Sequence, residues 1–236
     1  MPKDNVSLFE IFGPVMIGPS SSHTAGVARI AWLARKMFGG TPEQAIIRFY
    51  GSLAATWKGH GSADAVIAGL LGISPQDEDL FRGWEKLKEL QGQGQGFAEQ
   101  IIPMPDLPPS WHPNTVVLEL SGGQGGMDHL ALRAASVGGG SICINEIDGY
   151  HVSLSGELEA VVILHRDEIG VIANISNIVA ANAINIAATT CHRQEKGEVA
   201  MLVVETDGPI PAAVITEMSA LPAVLRVLHV PSLGGA

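Results

Sequence analysis

Apolar positions recur along this chain with two periods. Val27, Ile30, Ala31, Ala34, Met37 and Phe38 share one face of a 3.6-residue repeat, and Gly39-Gly40 follows as a stop. That spacing predicts an amphipathic helix. Residues 45–50 read as a strand that ends at Gly51-Ser52-Leu53. Residues 65–72 are almost wholly apolar between Ser62 and Gly72, which predicts a short helix capped near Ser62 and stopped at Gly72. A further short helix is expected over 84–90. Gln91-Gly92-Gln93-Gly94-Gln95-Gly96 is low-complexity and reads as a flexible loop tip. Pro103, Pro105, Pro108, Pro109 and Pro113 make the next stretch extended and non-helical. A strand is expected at 115–120. The glycine turn after it, 121–126, lacks the Lys-Ser/Thr pair of a phosphate cradle. Gly138-Gly139-Gly140 either wraps a ligand or bends the backbone into a strand at 141–147.

The last third alternates in kind. Strands are expected at 158–165, 184–193, 199–205 and 224–230, with helices at 169–182 and 211–221 and a hairpin turn at Glu195-Lys196-Gly197-Glu198. The order βαββαβ is the ferredoxin-like split unit. The expected architecture is therefore α/β (α+β) in two domains, 1–156 and 157–236.

Composition narrows the function classes. The chain has 236 residues, enough for two modest cores, and is 46% hydrophobic but only 5% aromatic, so aliphatic side chains must fill the interior. A formal net charge of −10 argues against binding nucleic acid or an anionic membrane. No apolar run reaches the roughly 18 residues of a membrane span. Met1-Pro2-Lys3-Asp4-Asn5 opens without the apolar core of a signal peptide, so a cytoplasmic location is expected. Cys143 and Cys191 are the only cysteines, each in an apolar strand-like setting that suggests buried, inert thiols. A cubane iron–sulfur cluster needs roughly three or four thiolates, so the expectation is no metal on this chain.

The candidate chemistry lies at two helix starts. Ile17-Gly18-Pro19-Ser20-Ser21-Ser22-His23-Thr24-Ala25-Gly26 sets hydroxyls and a neutral-range titrating group over free backbone N–H groups. It is either a capped helix under a surface loop or a seat for a small carboxylate that must exchange a proton. Lys58-Gly59-His60-Gly61-Ser62-Ala63-Asp64 repeats the design. His60 is either an exposed turn residue or part of one site shared with His23.

These stretches resemble a known family. Ser7-Leu8-Phe9-Glu10-Ile11-Phe12-Gly13-Pro14 with its continuation to Gly26, Gly51-Ser52-Leu53 with Lys58 to Gly61 and Asp64, and Ser136 to Gly149 are similar to the beta chain of the two-chain, iron–sulfur-dependent L-serine dehydratase (L-serine ammonia-lyase). The resemblance implies an N-terminal allosteric-substrate-binding-type domain over 1–156 and an ACT domain over 157–236. It implies deamination of L-serine to pyruvate and ammonia, with a [4Fe-4S] cluster carried by a partner alpha chain as Lewis acid. His23 and His60 are then the catalytic candidates, for substrate binding or proton handling. Ser20, Ser21, Ser22, Thr24 and Gly61 are the substrate-binding candidates, while Arg29 either supports the carboxylate or is a surface charge. Pyridoxal phosphate is not expected: Lys58 is the one suggestive lysine, and the pattern of that fold is absent. Arg166-Asp167-Glu168-Ile169-Gly170-Val171-Ile172 resembles the first loop of ACT domains, which nominates Asp167, Gly170 and Asn174 for an effector and the domain for self-association. The rival reading is a serine-sensing regulatory subunit without catalysis, and a third is an assembly scaffold.

Overall fold

The computed structural model describes residues 20–123 and 127–235. The segment 7–19, which leads into the serine-rich motif, and Gln124-Gly125-Gly126 of the expected glycine turn lie outside the described residues.

The first helix forms as its periodicity predicts. A single π-helical turn, Ser21–Ala25, runs into α1, Gly26–Phe38, and Gly39 ends it in the left-handed region at φ +79°. Nearly every side chain of α1 is buried, because the helix is covered on more than one side. Strand β1, Gln44–Tyr50, follows. Residues 51–53 do not close that strand, contrary to expectation. They open a short helix, α2, Gly51–Thr56, because Gly51 turns the chain at φ +55°. Helix α3, Ser62–Leu70, starts from Gly61 at φ +69° rather than from a serine cap. A 3-10 turn, Glu78–Arg82, leads to α4, Gly83–Gly92.

Six strands build the first sheet: β1, β2 (Ala98–Met104), β3 (Thr115–Ser121), β4 (His129–Gly138), β5 (Ser141–Ile147) and β6 (Tyr150–Leu154). Their order is β2-β1-β3-β4-β5-β6, with β1–β2 parallel and the other pairs antiparallel. β2, most of β4 and β6 were not expected. β2 contains Pro103, which an edge strand tolerates because one side of it has no ladder to complete. Helices α1 and α3 pack on each other, α1 lies against β3, β4 and β5, and Ile30, Leu33, Val66 and Ile67 share one core with Ile47, Phe49, Leu118 and Leu132.

The second sheet follows the expected βαββαβ order: β7 (Glu159–Arg166), α5 (Val171–Ala181), β8 (Ile186–Arg193), β9 (Val199–Thr206), α6 (Ala212–Ser219) and β10 (Val224–Val230). Strand order is β10-β7-β9-β8, wholly antiparallel. Alternate residues of β7 and β9 serve two cores. Val161, Ile163, Leu202 and Val204 pack under α5 and α6, whereas Ala160, Val162, Met201 and Val203 join the core around α1. Burial on both faces explains why β7 and β9 are continuous apolar runs rather than alternating ones. Arg226 of β10 also pairs with Asp148 in the β5–β6 turn. No helix among the described residues is long and apolar enough to cross a membrane.

Candidate active site

The two histidines meet. His23, in the π-helical turn before α1, and His60, two residues before α3, stack with ring centroids 5.5 Å apart and planes inclined by 27°. Sequence spacing proposed one shared site; the crossing of α1 and α3 produces it, since each helix begins beneath one histidine. His23 is half-buried and His60 is exposed, so the pair opens to solvent.

Backbone and side-chain bonds tie the two loops. Thr24 is fully buried and its hydroxyl donates to the His60 carbonyl at 2.8 Å. Ser62, equally buried, donates to the His23 carbonyl at 2.7 Å. Its hydroxyl thus locks the loops instead of capping α3 as expected. Gly61 adopts the left-handed conformation there, and an added Cβ would lie 3.4 Å from the Phe81 ring. Glycine therefore lets the chain turn close under His60.

The serines divide by role. Ser20 is the cap: its Oγ accepts from the His23 N–H at 3.1 Å and lies 3.1 Å from His23 Nδ1. Ser22 Oγ is 3.5 Å from the same nitrogen. The Ser21 carbonyl accepts the Gly26 N–H within the turn. The N–H groups of Ser21 and Ser22 belong to the first turn, where the helix offers no acceptor. Hydroxyls thus lie beside His23 Nδ1, and backbone donors open the same turn, a setting suited to a small anion.

Two residues that sequence reasoning missed complete the cluster. Ser52 Oγ lies 3.3 Å from His23 Nε2 and donates to Asn114 Oδ1. The Pro113 carbonyl receives the Ser52 N–H at 2.9 Å. Gly51 permits that approach, since a Cβ would sit 2.4 Å from the Pro113 oxygen. The sequence places Ser52 at a strand end, and no local pattern links it to an asparagine 62 residues away.

Burial and then the neighbouring His60 hold His23 below the ordinary imidazole value of 6.5. Arg29 is neither a surface charge nor close-coupled to the histidines. It is 5% exposed and donates to the Gly140 carbonyl at 2.8 Å, anchoring the β4–β5 turn. Gly138, Gly139 and Gly140 all take positive φ in that turn. Lys58 Nζ sits 5.1 Å above the Trp57 ring. A cavity of about 480 Å³ among Thr41, Glu43, Leu71 and Gly96 lies by the opposite end of β1 from the histidines.

The two thiols differ in exposure. Cys143 is half-buried on β5 and Cys191 is exposed on β8, a correction to the expectation that both are buried. They lie in separate sheets, and no group of three or more His, Cys, Asp or Glu side chains gathers among the described residues. Two thiols are fewer than the roughly three or four thiolates that hold a cubane iron–sulfur cluster.

The effector candidates separate. Asp167 accepts from Gly197 N–H at 2.9 Å and from Arg193 at 2.8 Å, which together hold its carboxyl below the usual range. Gly170 starts α5 at φ +93°. Asn174 lines a cavity of about 180 Å³ with Glu168, Ile169, Leu221 and Pro222, to which Asp167 does not contribute.

Residues 7–147 match the family described as serine dehydratase beta chain, and residues 161–226 match the AHAS small subunit-like ACT domain. The probable L-serine dehydratase beta chain of Bacillus subtilis is 40% identical over 95% of this chain and 97% of its own. The L-serine dehydratase beta chain of Peptoniphilus asaccharolyticus is 31% identical over 86% of this chain and 88% of its own. A longer relative, the L-serine dehydratase of Mycobacterium bovis, is 34% identical over 61% of this chain, which spans 34% of that protein. A match over most of its length, with the paired histidine loops inside the matched segment, makes this chain a member of the serine dehydratase beta-chain family with a C-terminal ACT domain.

Proposed function

We propose that this chain is the beta subunit of an L-serine ammonia-lyase, converting L-serine to pyruvate and ammonia with an alpha subunit that carries a [4Fe-4S] cluster. The observation that carries the reading is the stacking of His23 on His60 at paired helix starts. Elimination of water from serine requires a weakly acidic Cα proton to leave and a place for the substrate carboxylate. The Ser21 and Ser22 N–H groups, with the Ser22 hydroxyl, hold the carboxylate. His23, kept neutral near pH 7 by burial and by His60, handles a proton. Thr24 and Ser62 keep the histidine loops in register.

Two features support a partner. The histidine pair is open to solvent, whereas the chemistry gains from a covered, water-poor site. This chain also matches only about a third of the longer Mycobacterium bovis L-serine dehydratase. Asp167, Gly170 and Asn174 are the candidates for an effector on the ACT domain, with the cavity beside Asn174 as its seat, and that domain is the proposed surface for self-association.

The test is anaerobic pyruvate formation from L-serine by this chain, by its alpha partner and by the mixture, with His23→Ala in parallel. Activity only in the mixture, lost in His23→Ala at saturating serine, supports a catalytic subunit. Activity of the partner alone, altered only in its serine dependence by this chain, leaves a serine-sensing regulatory subunit instead.

A further inference from the structure

We infer that Ser52 and Asn114 are positioning residues that fix the ring proton of His23 on Nε2, so that Nδ1 is the atom that accepts a proton. The catalytic meaning of this inference rests on the proposed function; the hydrogen-bond assignment does not.

The assignment follows by counting donors. Asn114 bonds to the backbone carbonyl of Ser136 at 3.3 Å, and a carbonyl only accepts, so the amide nitrogen faces it. A backbone bond from Ser136 N–H to the Asn114 carbonyl at 3.1 Å holds the two segments in register. Asn114 Oδ1 therefore faces Ser52, and it too only accepts. The other oxygen near Ser52 Oγ is the Pro113 carbonyl at 3.3 Å, again an acceptor. Ser52 has one hydroxyl proton and two acceptors competing for it. None is left for His23, so the 3.3 Å contact is made by a proton on Nε2 donating to Ser52 Oγ.

The opposite side of the ring agrees. Ser20 Oγ already accepts from the His23 N–H, which leaves its own proton free to point at Nδ1, 3.1 Å away. Nδ1 is thus an acceptor, and it faces Ser20 and Ser22 rather than the protein interior. A proton taken up there leaves the Nε2–H bond to Ser52 intact, so the ring gains charge without turning. The second histidine is not involved in this assignment, because its contact with His23 is through ring faces.

The experiment uses the full chain with nitrogen-15-labelled histidine, free and in the complex with its alpha partner. At a pH where the ring is neutral, His23 is expected to show a pyrrole-like Nε2 and a pyridine-like Nδ1, without averaging. Ser52→Ala should average the two shifts and lower kcat of the complex by about tenfold or more, within the range of acid–base effects, while KM for serine moves little. Ser52→Thr keeps a hydroxyl and should restore both readouts. A pyrrole-like Nδ1 in the wild-type chain would overturn the inference, as would Ser52→Ala with unchanged shifts and unchanged kcat. If His23→Ala retained the full maximal rate while the wild-type shifts matched the assignment, the proposed function would fall together with the positioning role, and the tautomer alone would stand.

Discussion

Replacing Gly69 by alanine tests whether the α1–α3 crossing is what assembles the site. A Cβ on Gly69 would lie 2.7 Å from the Ala28 carbonyl, 2.7 Å from the Ala31 methyl and 2.8 Å from the Trp32 amide nitrogen. Ordinary contact begins at 3.4 Å, so the helices must part by about 0.7 Å. Backbone atoms make up two of the three contacts, and they cannot rotate away. Overpacking of this kind costs about 1–3 kcal/mol. Alanine returns about 1 kcal/mol of helix propensity. The net loss is up to about 2 kcal/mol, or a Tm lowered by as much as roughly 8 °C for a chain of this size. The same displacement would stretch the 2.8 Å Thr24–His60 and 2.7 Å Ser62–His23 bonds toward the limit of hydrogen bonding. Misplacement near 1 Å can lower rates by about a hundredfold, so activity of the complex should fall more than the stability loss explains. Thermal and urea unfolding, with pyruvate formation alongside, read both effects. Gly92→Ala is the control, since nothing lies within 4 Å of its Cβ position. A Gly69→Ala protein that gains the propensity term in full and keeps wild-type kcat would refute the reasoning.

Three further outcomes are expected. Thr24→Val should lower unfolding stability by about 1 kcal/mol, because the buried methyl keeps the volume but leaves the His60 carbonyl without its donor; equal urea midpoints would contradict it. Arg29→Met should destabilise by about 1–3 kcal/mol through the abandoned Gly140 carbonyl while leaving KM for serine unchanged, and a raised KM with native stability would instead put Arg29 at the substrate. His23 titrates below 6.5 in the folded chain, so the unfolded chain binds more protons as the pH falls past 6.5. Stability from this group is therefore full above 6.5 and is lost as the pH drops toward the folded value, and the acid limb of kcat/KM lies below 6.5; a His23→Gln protein should lose that slope in Tm against pH.

What the sequence disclosed depended on range. α1, β3 and the whole βαββαβ unit announced themselves through local periodicity, with Gly39 and Gly72 as stops. β2 and β4 did not, since Pro103 and the run of alanines and an arginine in β4 carry weak local signals and owe their state to paired neighbours. The histidine loops were legible from their composition, and the family resemblance drawn from them agrees with the relatives found. Their union was not legible, because it depends on how two helices cross. Asn114 was beyond reach: it follows a proline-rich stretch and matters only because that stretch folds back over Gly51. The apolar neighbours of Cys191 point to a buried thiol, but β8 lies at a sheet edge where such residues remain exposed.

The alternate facing of β7 and β9 sets how the molecule comes apart. Ala160, Val162, Met201 and Val203 share one core with Trp32 and Leu33 of α1 and with Leu154, so one interior spans the junction of the two sheets. Cleavage there would give each fragment a bare apolar wall in place of a finished surface. Heating should accordingly melt the two sheets together in one cooperative step.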